Sequence, residues 1–582
     1  MNILKRPKRL FLVVGCLLAC HNLVNAAAEA WSNKSTWGGS VPTAGAAVMI
    51  PAGKHVVLDV ETPLLKSLMV HGTLEFKDKP GVGIHTGWLM VMGEDARLQI
   101  GSESEPFVNK THLTFYGTDE NFNAVTTGPF TSGNKFLMAM GGGTISLHGA
   151  TASKTAWTKL DSHAKPGDTS IRVLDGNTGW KVGDKLCIAP SGHVSEDAES
   201  VTITSIDGKN IGVSPALSAK HWGTLQYYDG QAVDQRAPVG LLSRNIVVQG
   251  AEDSDAGKFG AHTMIMGRSA NGVASRAYIE GVEFTRGGQL GHQGRYSFHW
   301  HWVFAADGQY IRDCSIHHGF QRAVNVHRTS GVVVENNVAF RIPNHNYVWA
   351  EDGVETEFNN TFLNNLAVQV IQQDENVDPF AFGSRATNNP VQEEWRTSAF
   401  WGRNAFHHLE GNHAAGVNGG FAYFYDTAGD FEMNPLTRFF KFHNNTAQSI
   451  TDEKSFLQPG NDLYPPLVRG VGLFITQNDL GDMVFSGLNA FKCKLGVWVE
   501  RDAHIIRDAV LTDNAAGMLG MQGQIEDSLI VGNTANDIGR DFPLIRNSPA
   551  TLVNTIDLES VGVFSFDGQG STKTIKATNL TV

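Results

Sequence analysis

Short runs in which apolar and polar side chains alternate, separated by glycine, proline and asparagine, recur along the chain from about residue 47. A period of two puts successive side chains on opposite faces of a strand. It predicts strands at 47–50, 55–58, 67–70 and 98–100, with no sustained helical period between 31 and 155. A second group at 170–173, 185–188 and 201–204, followed by the turn former Asp207-Gly208, reads as a small β module.

From about residue 240 the pattern becomes a loose repeat. Gly281-Val282-Glu283-Phe284, Asp313-Cys314-Ser315-Ile316, Asn337-Val338-Ala339-Phe340 and Asn365-Leu366-Ala367-Val368 share one form, and Asp508-Ala509-Val510-Leu511 and Asp527-Ser528-Leu529-Ile530 continue it. A turn former followed by alternating side chains at irregular spacing suits stacked coils with loops bulging from one face. The expected fold is all-β: a right-handed parallel β-helix, of the pectin-lyase-like kind, preceded by a glycine-rich β domain. The expected boundaries are a leader at 1–26, the glycine-rich domain at 31–155, the small module at 160–235 and the β-helix at 236–582. A propeller would show a longer, more regular period, and a sandwich does not need so many similar strands. The stretches 377–397 and 451–466 lack strand patterning and are expected to be loops over one face.

The repeat also aligns polar residues. Phe298-His299-Trp300-His301, Val324-Asn325-Val326-His327 and Val348-Trp349-Ala350-Glu351 fit one register. Alternation then sends Phe298, Trp300, Val324, Val326, Val348 and Ala350 inward. His299, Asn325 and Trp349 form one outward column, and His301, His327 and Glu351 a second. Two imidazoles and a carboxylate at strand spacing can share a metal or a proton, so His301, His327 and Glu351 are candidate metal ligands and acid–base groups. Asp352 and Glu355 offer further carboxylates. His262 and His299 are candidate substrate-binding groups, as is Arg295, which can hold a carboxylate or bridge coils. Trp349 and Trp401 are candidate sugar-stacking faces. His317-His318 and His407-His408 read as structural.

Composition sharpens this. Glycine makes up 63 of 582 residues and charged residues only 18%, a turn-rich balance against usual values of roughly 7% and 25%. Lys5, Arg6, Lys8 and Arg9 precede an apolar run at 10–19 and small residues ending at Ala26, the layout of a secretory leader cleaved after Ala26. Leu17-Leu18-Ala19-Cys20 offers a lipoprotein alternative. The expected location is secreted, periplasmic or cell-surface, without a transmembrane helix once the leader is removed. Cys187, Cys314 and Cys493 then remain, too few for a disulfide framework. The formal charge of −12 argues against nucleic acid, and an anionic polysaccharide would need a local basic or metal-bearing groove.

At these residues the chain resembles a known family, the secreted and membrane-anchored hyaluronidases related to cell migration-inducing and hyaluronan-binding protein. Trp37-Gly38-Gly39, Ile50-Pro51-Ala52-Gly53 and Gly72-Thr73-Leu74 look like its glycine-rich domain, named for eight glycines. Val239-Gly240-Leu241-Leu242-Ser243-Arg244-Asn245-Ile246 is similar to its lead into the β-helix. Gly294-Arg295-Tyr296-Ser297-Phe298-His299-Trp300-His301 resembles its G-R-Y-P-[IV]-H-F-H block, with Ser297 and Trp300 as departures, and Glu351-Asp352-Gly353-Val354-Glu355 matches another, with Ala350 where leucine is usual. The resemblance implies binding or endo-cleavage of hyaluronan and a calcium requirement in active members. The expectation is therefore an exported monomer that degrades a uronic-acid-containing polysaccharide such as hyaluronan, by hydrolysis or by β-elimination, with calcium or another divalent metal. The alternative is a non-catalytic carbohydrate-binding or adhesive surface protein on the same scaffold.

Overall fold

The structure is a computed structural model. It describes residues 27–118, 126–127, 130–350, 357–372, 397–425, 440–451, 470–475, 483–499, 504–514, 516–520, 523–538, 563–565 and 575–581. The expected leader with Cys20, the carboxylates Glu351, Asp352 and Glu355, and nearly all of the two expected loops lie outside the described residues. Among the described residues no helix is long and apolar enough to cross a membrane.

The chain winds as a right-handed parallel β-helix with three strands per coil, as the alternation predicts. One 14-stranded sheet contains Leu89–Met92, Phe136–Met140, His262–Met266, Phe298–Ala305, Val324–Ser330, His345–Trp349 and Ser398–Gly402 in successive, parallel-paired coils. The other two rows join into a 26-stranded sheet. Strands from 29 to 148 occupy the same rows as those after 246: Thr144–His148 pairs in parallel with Arg276–Glu280, and Thr111–Phe115 with Ile246–Gly250. One apolar core fills the bore from Trp31 to Ile530.

The bend between the two rows of the larger sheet explains the repeat. It is made by a residue with left-handed backbone: Gly281, Asp313, Asn336, Asn364, Gly411, Asn444, Gly487, Asp508 and Asp527, all with φ between 48 and 69°. Glycine, asparagine and aspartate tolerate that conformation best. The residue after the bend points inward, and in four successive coils it is asparagine. Asn337 donates from Nδ2 to Asn365 Oδ1 (3.0 Å), Asn365 to Asn412 (3.0 Å) and Asn412 to Asn445 (3.1 Å). Each amide also donates to a carbonyl of the preceding coil, so the buried ladder is satisfied internally. The repeat read from sequence therefore began one residue late at Asn337 and Asn365, which are ladder residues and not the bends.

Residues 157–241 contribute a six-stranded antiparallel sheet with its own core around Leu160, Ile171, Leu186 and Val239. Ala156, Cys187 and Ala189 pack against Val338, Phe340, Leu366 and Val368 on the outer face of one solenoid row. Cys187, Cys314 and Cys493 are buried and free.

Candidate functional site

The outward face of the 14-stranded sheet carries a stack that is apolar except at one place. Its pairings run Met90, Met138, Met264, His299, Asn325, Val348, Trp401, Phe424, Phe474, Trp498. The adjacent stack runs Met92, Met140, Met266, His301, His327. Polar rungs thus replace methionine below the histidines and aromatic or aliphatic groups above them. Placing imidazoles and an amide where neighbouring coils place hydrocarbon and thioether costs desolvation energy, which points to a use other than packing.

His299, His301 and His327 each present a ring nitrogen within 4.8 Å of the others. Their ring centroids lie 5.0 Å (His299–His301), 5.0 Å (His301–His327) and 6.0 Å (His299–His327) apart, the last pair nearly parallel. His299 Nδ1 donates to the Gly294 carbonyl at 2.9 Å, so its Nε2 carries the lone pair; that atom is buried and has no hydrogen-bond partner. His301 Nδ1 and His327 Nδ1 are 3.2 Å apart and can hold one proton between them. Burial first, then the neighbouring His301 and His327, push the His299 pKa well below its ordinary value, so its ring stays neutral at neutral pH.

Cations surround this cluster. Arg322 is fully buried, its guanidinium 4.7 Å from the Tyr296 ring centroid and 5.4 Å from that of Trp401, and Nη1 donates to Asn325 Oδ1 at 2.8 Å. Arg328 lies 4.2 Å over Trp302. Glu357 is buried and accepts from the backbone N–H groups of Ala350 (2.6 Å) and Arg328 (2.8 Å), pinning two coils beside the histidines.

Alternation fails just after His301, where a bulge shifts the pairing before Phe304. Trp302 (φ 59°) and Phe304 (φ 63°) adopt left-handed backbone, a strained state for bulky side chains, and stand 40% and 41% exposed while Val303 turns into the core. Trp302 lies 5.9 Å from His301 and 6.3 Å from His327 by ring centroids. The sequence reading passed over Trp302, Phe304, Arg322 and Arg328; the break in the alternating Phe298–Ala305 run was the available signal.

The structure corrects the third rung. Val324 pairs with Tyr347 and Asn325 with Val348, so the expected register is off by one, and Val348 and Trp349 exchange faces. Trp349 points into the bore, fully buried, with Nε1 donating to the Asn404 carbonyl at 2.8 Å. A Cβ on Gly402 in the next coil would lie 2.0 Å from the Trp349 ring, so that glycine makes its room. Tyr347 also points inward and donates to buried carbonyls of Asn337 and Leu366. Trp349 is thus a core residue and not a sugar platform, and Val348 takes its place in the outward column beside Asn325.

The other candidates divide. His262 is buried beside Phe136; its Nε2 contacts the Ser132 carbonyl at 2.7 Å, and burial with Arg295 nearby lowers its pKa to about 3. Arg295 is buried and bonded to Thr131 and Gln289, a bridge between segments. Trp401 lies in the outward column but is buried, stacked 4.6 Å from the His345 ring. His407 is buried against Trp349, with its pKa lowered to about 3 by burial.

The donor set of the cluster fits a first-row transition ion of the zinc class, which takes neutral imidazole nitrogen, better than calcium, which takes oxygen. His299 Nε2 supports that fit as a buried lone pair without a protein partner.

Residues 36–161 match the G8 domain and residues 258–454 match the CEMIP beta-helix. Fibrocystin-L of Homo sapiens is 30% identical over 534 residues, which is 84% of this chain and 12% of that protein. Protein rliB of Dictyostelium discoideum is 30% identical over 410 residues, 68% of this chain and 34% of that protein. The chain therefore spans roughly an eighth of the first relative and a third of the second. The tailspike of Pseudomonas phage phi297 aligns over 89% of this chain and 71% of its own at 7% identity, but its TM-score of 0.17 carries no argument. The chain thus carries a stretch matching the G8 domain ahead of one matching the CEMIP beta-helix, and resembles the CEMIP-like family in that order.

Proposed function

We propose that this chain is an exported protein that binds and cleaves a uronic-acid-containing polysaccharide, hyaluronan being the first to test, in a groove over His299, His301 and His327. The observation that carries the reading is the polar gap at His299 and Asn325 in an otherwise apolar outer stack, flanked by exposed Trp302. An aromatic face held out by strained backbone suits stacking on a sugar ring. Arg328, over the exposed Trp302, with Arg322 buried behind Asn325, supplies the local positive charge that the chain's net charge of −12 otherwise denies an anionic polymer. His301 and His327 can pass their shared proton to or from a glycosidic oxygen. Glu351, Asp352 and Glu355 are the proposed acid and base partners, by sequence. His299 Nε2, His301 and His327 are the residues that would hold a zinc-class ion, which when bound supplies Lewis acidity.

One observation favours a binding-only reading: Glu357, the described carboxylate beside the cluster, has its oxygens taken up by backbone N–H groups. Incubation with hyaluronan, chondroitin, pectin and alginate, with zinc, with calcium and with neither, separates the two. Shortened chains with new reducing ends support hydrolysis; an unsaturated product absorbing in the near ultraviolet supports elimination. Binding without shortening supports the second reading, and no binding to any of the four removes both.

A further inference from the structure

A second convergence of ligand atoms lies in the first coils, away from the site above. Glu61, Gly83 and His112 are neighbours in three successive coils, and His85 lies two residues along from Gly83 on the same side. His85 Nε2 is 2.7 Å from Glu61 Oε1, His112 Nε2 is 3.2 Å from His85 Nε2, and His112 Nε2 is 3.6 Å from Glu61 Oε1. Those separations bracket the edge of about 3.3 Å between ligands held tetrahedrally at zinc-type bond lengths. The remaining nitrogen of His85 contacts the Tyr116 hydroxyl at 2.9 Å, the outer hydrogen bond that fixes the orientation of a metal-bound imidazole.

Gly83 is shaped to this cluster. A Cβ there would lie 2.6 Å from His112 Cε1 and 2.7 Å from His112 Nε2, so the ring rests against a position that no other residue can occupy without displacing it. The backbone at Gly83 is not in the left-handed region, so the turn geometry does not call for glycine. His85 and His112 are half-buried, and Glu61 faces solvent with its side chain 52% exposed, leaving an open side for water.

We propose that Glu61, His85 and His112 form a site for a zinc-class divalent ion that ties three coils together near the N-terminal end of the solenoid. Each coil of a solenoid is supported only by its neighbours, so a tie across three coils strengthens the stack where it sits.

The test is zinc binding by equilibrium dialysis against the metal-free chain, with thermal unfolding recorded in parallel. Because His299, His301 and His327 also suit such an ion, each variant is scored separately. His85→Ala and His112→Ala are each expected to remove one tight equivalent, and His299→Ala to leave that equivalent in place. Zinc is expected to raise the unfolding temperature of the His299→Ala chain and not of the His299→Ala/His85→Ala chain, which lacks both clusters. Gly83→Ala, which keeps every ligand but displaces the His112 ring, is expected to weaken the site at least tenfold, within the range of about 10–100-fold for disturbed outer contacts. Should Gly83→Ala fail to fold, Tyr116→Phe carries the same expectation. Zinc binding unchanged in His85→Ala and His112→Ala, or absent from all but the His299 cluster, overturns the proposal.

Discussion

The two imidazole clusters sit on one solenoid but solve different problems. Glu61, His85 and His112 gather a carboxylate with two half-buried rings at the edge of solvent. His299, His301 and His327 gather three rings with no carboxylate in the described group, the first of them buried in an apolar stack. The first cluster sets its imidazoles against a carboxylate at the protein surface, where water reaches them. The second sets imidazoles into a stack of apolar side chains at a cost in desolvation, which is why it, and not the first, is assigned to the polysaccharide.

Acidification should break the comparison most strongly. Burial holds the pKa values of His262, His407 and His413 at about 3, and that of His299 well below its ordinary value. The unfolded chain binds protons at these residues below about pH 6.5, the folded chain does not, so stability is complete above 6.5 and falls as pH drops toward the folded values. At ~1.4 kcal/mol per pH unit for each such group, unfolding free energies from denaturant titrations at pH 7 and pH 5 should differ by several kcal/mol. A flat profile would show that these rings are not buried neutral.

Next in size, His299→Ala is expected to cost about 2–4 kcal/mol in chemical denaturation, from a cavity in a close-packed stack. His85→Ala, at the solvent edge, should cost less than about 1 kcal/mol in the absence of metal. Equal costs would erase the distinction between the clusters.

The contrast between legible and illegible residues has the same physical root. His299, His301 and His327 could be read because they interrupt an alternating pattern whose other members are unmistakably apolar. Tyr347, Val348, Trp349 and Ala350 are all apolar enough to face either way, so periodicity could not fix their register. Hydrogen bonds from Tyr347 and Trp349 to buried carbonyls, and the space at Gly402, decide it. Trp302 was hidden by a bulge, which changes the face without changing the composition. Glu61, His85 and His112 were hidden because the early coils are not marked by the bend-and-ladder repeat, although their strands at 47–50, 55–58 and 67–70 were plain.

A smaller effect sharpens the ligand side. Trp302→Ala should weaken glycan binding about 5–30-fold, the loss of one stacking face at ~1–2 kcal/mol, with no change in unfolding temperature because the ring is exposed. Smallest of all, Glu61→Gln in metal-free protein should move stability by no more than about 0.5 kcal/mol, since a solvent-exposed carboxylate–imidazole contact contributes little.

The most direct measurement is glycan binding by His299→Met, which continues the methionine stack of Met90, Met138 and Met264 through the polar gap. Similar volume should hold its stability within about 1.5 kcal/mol of wild type. The expected result is a folded protein whose affinity for the bound polysaccharide falls at least a hundredfold; a folded His299→Met protein that binds as wild type does would contradict the assignment of the gap to a ligand.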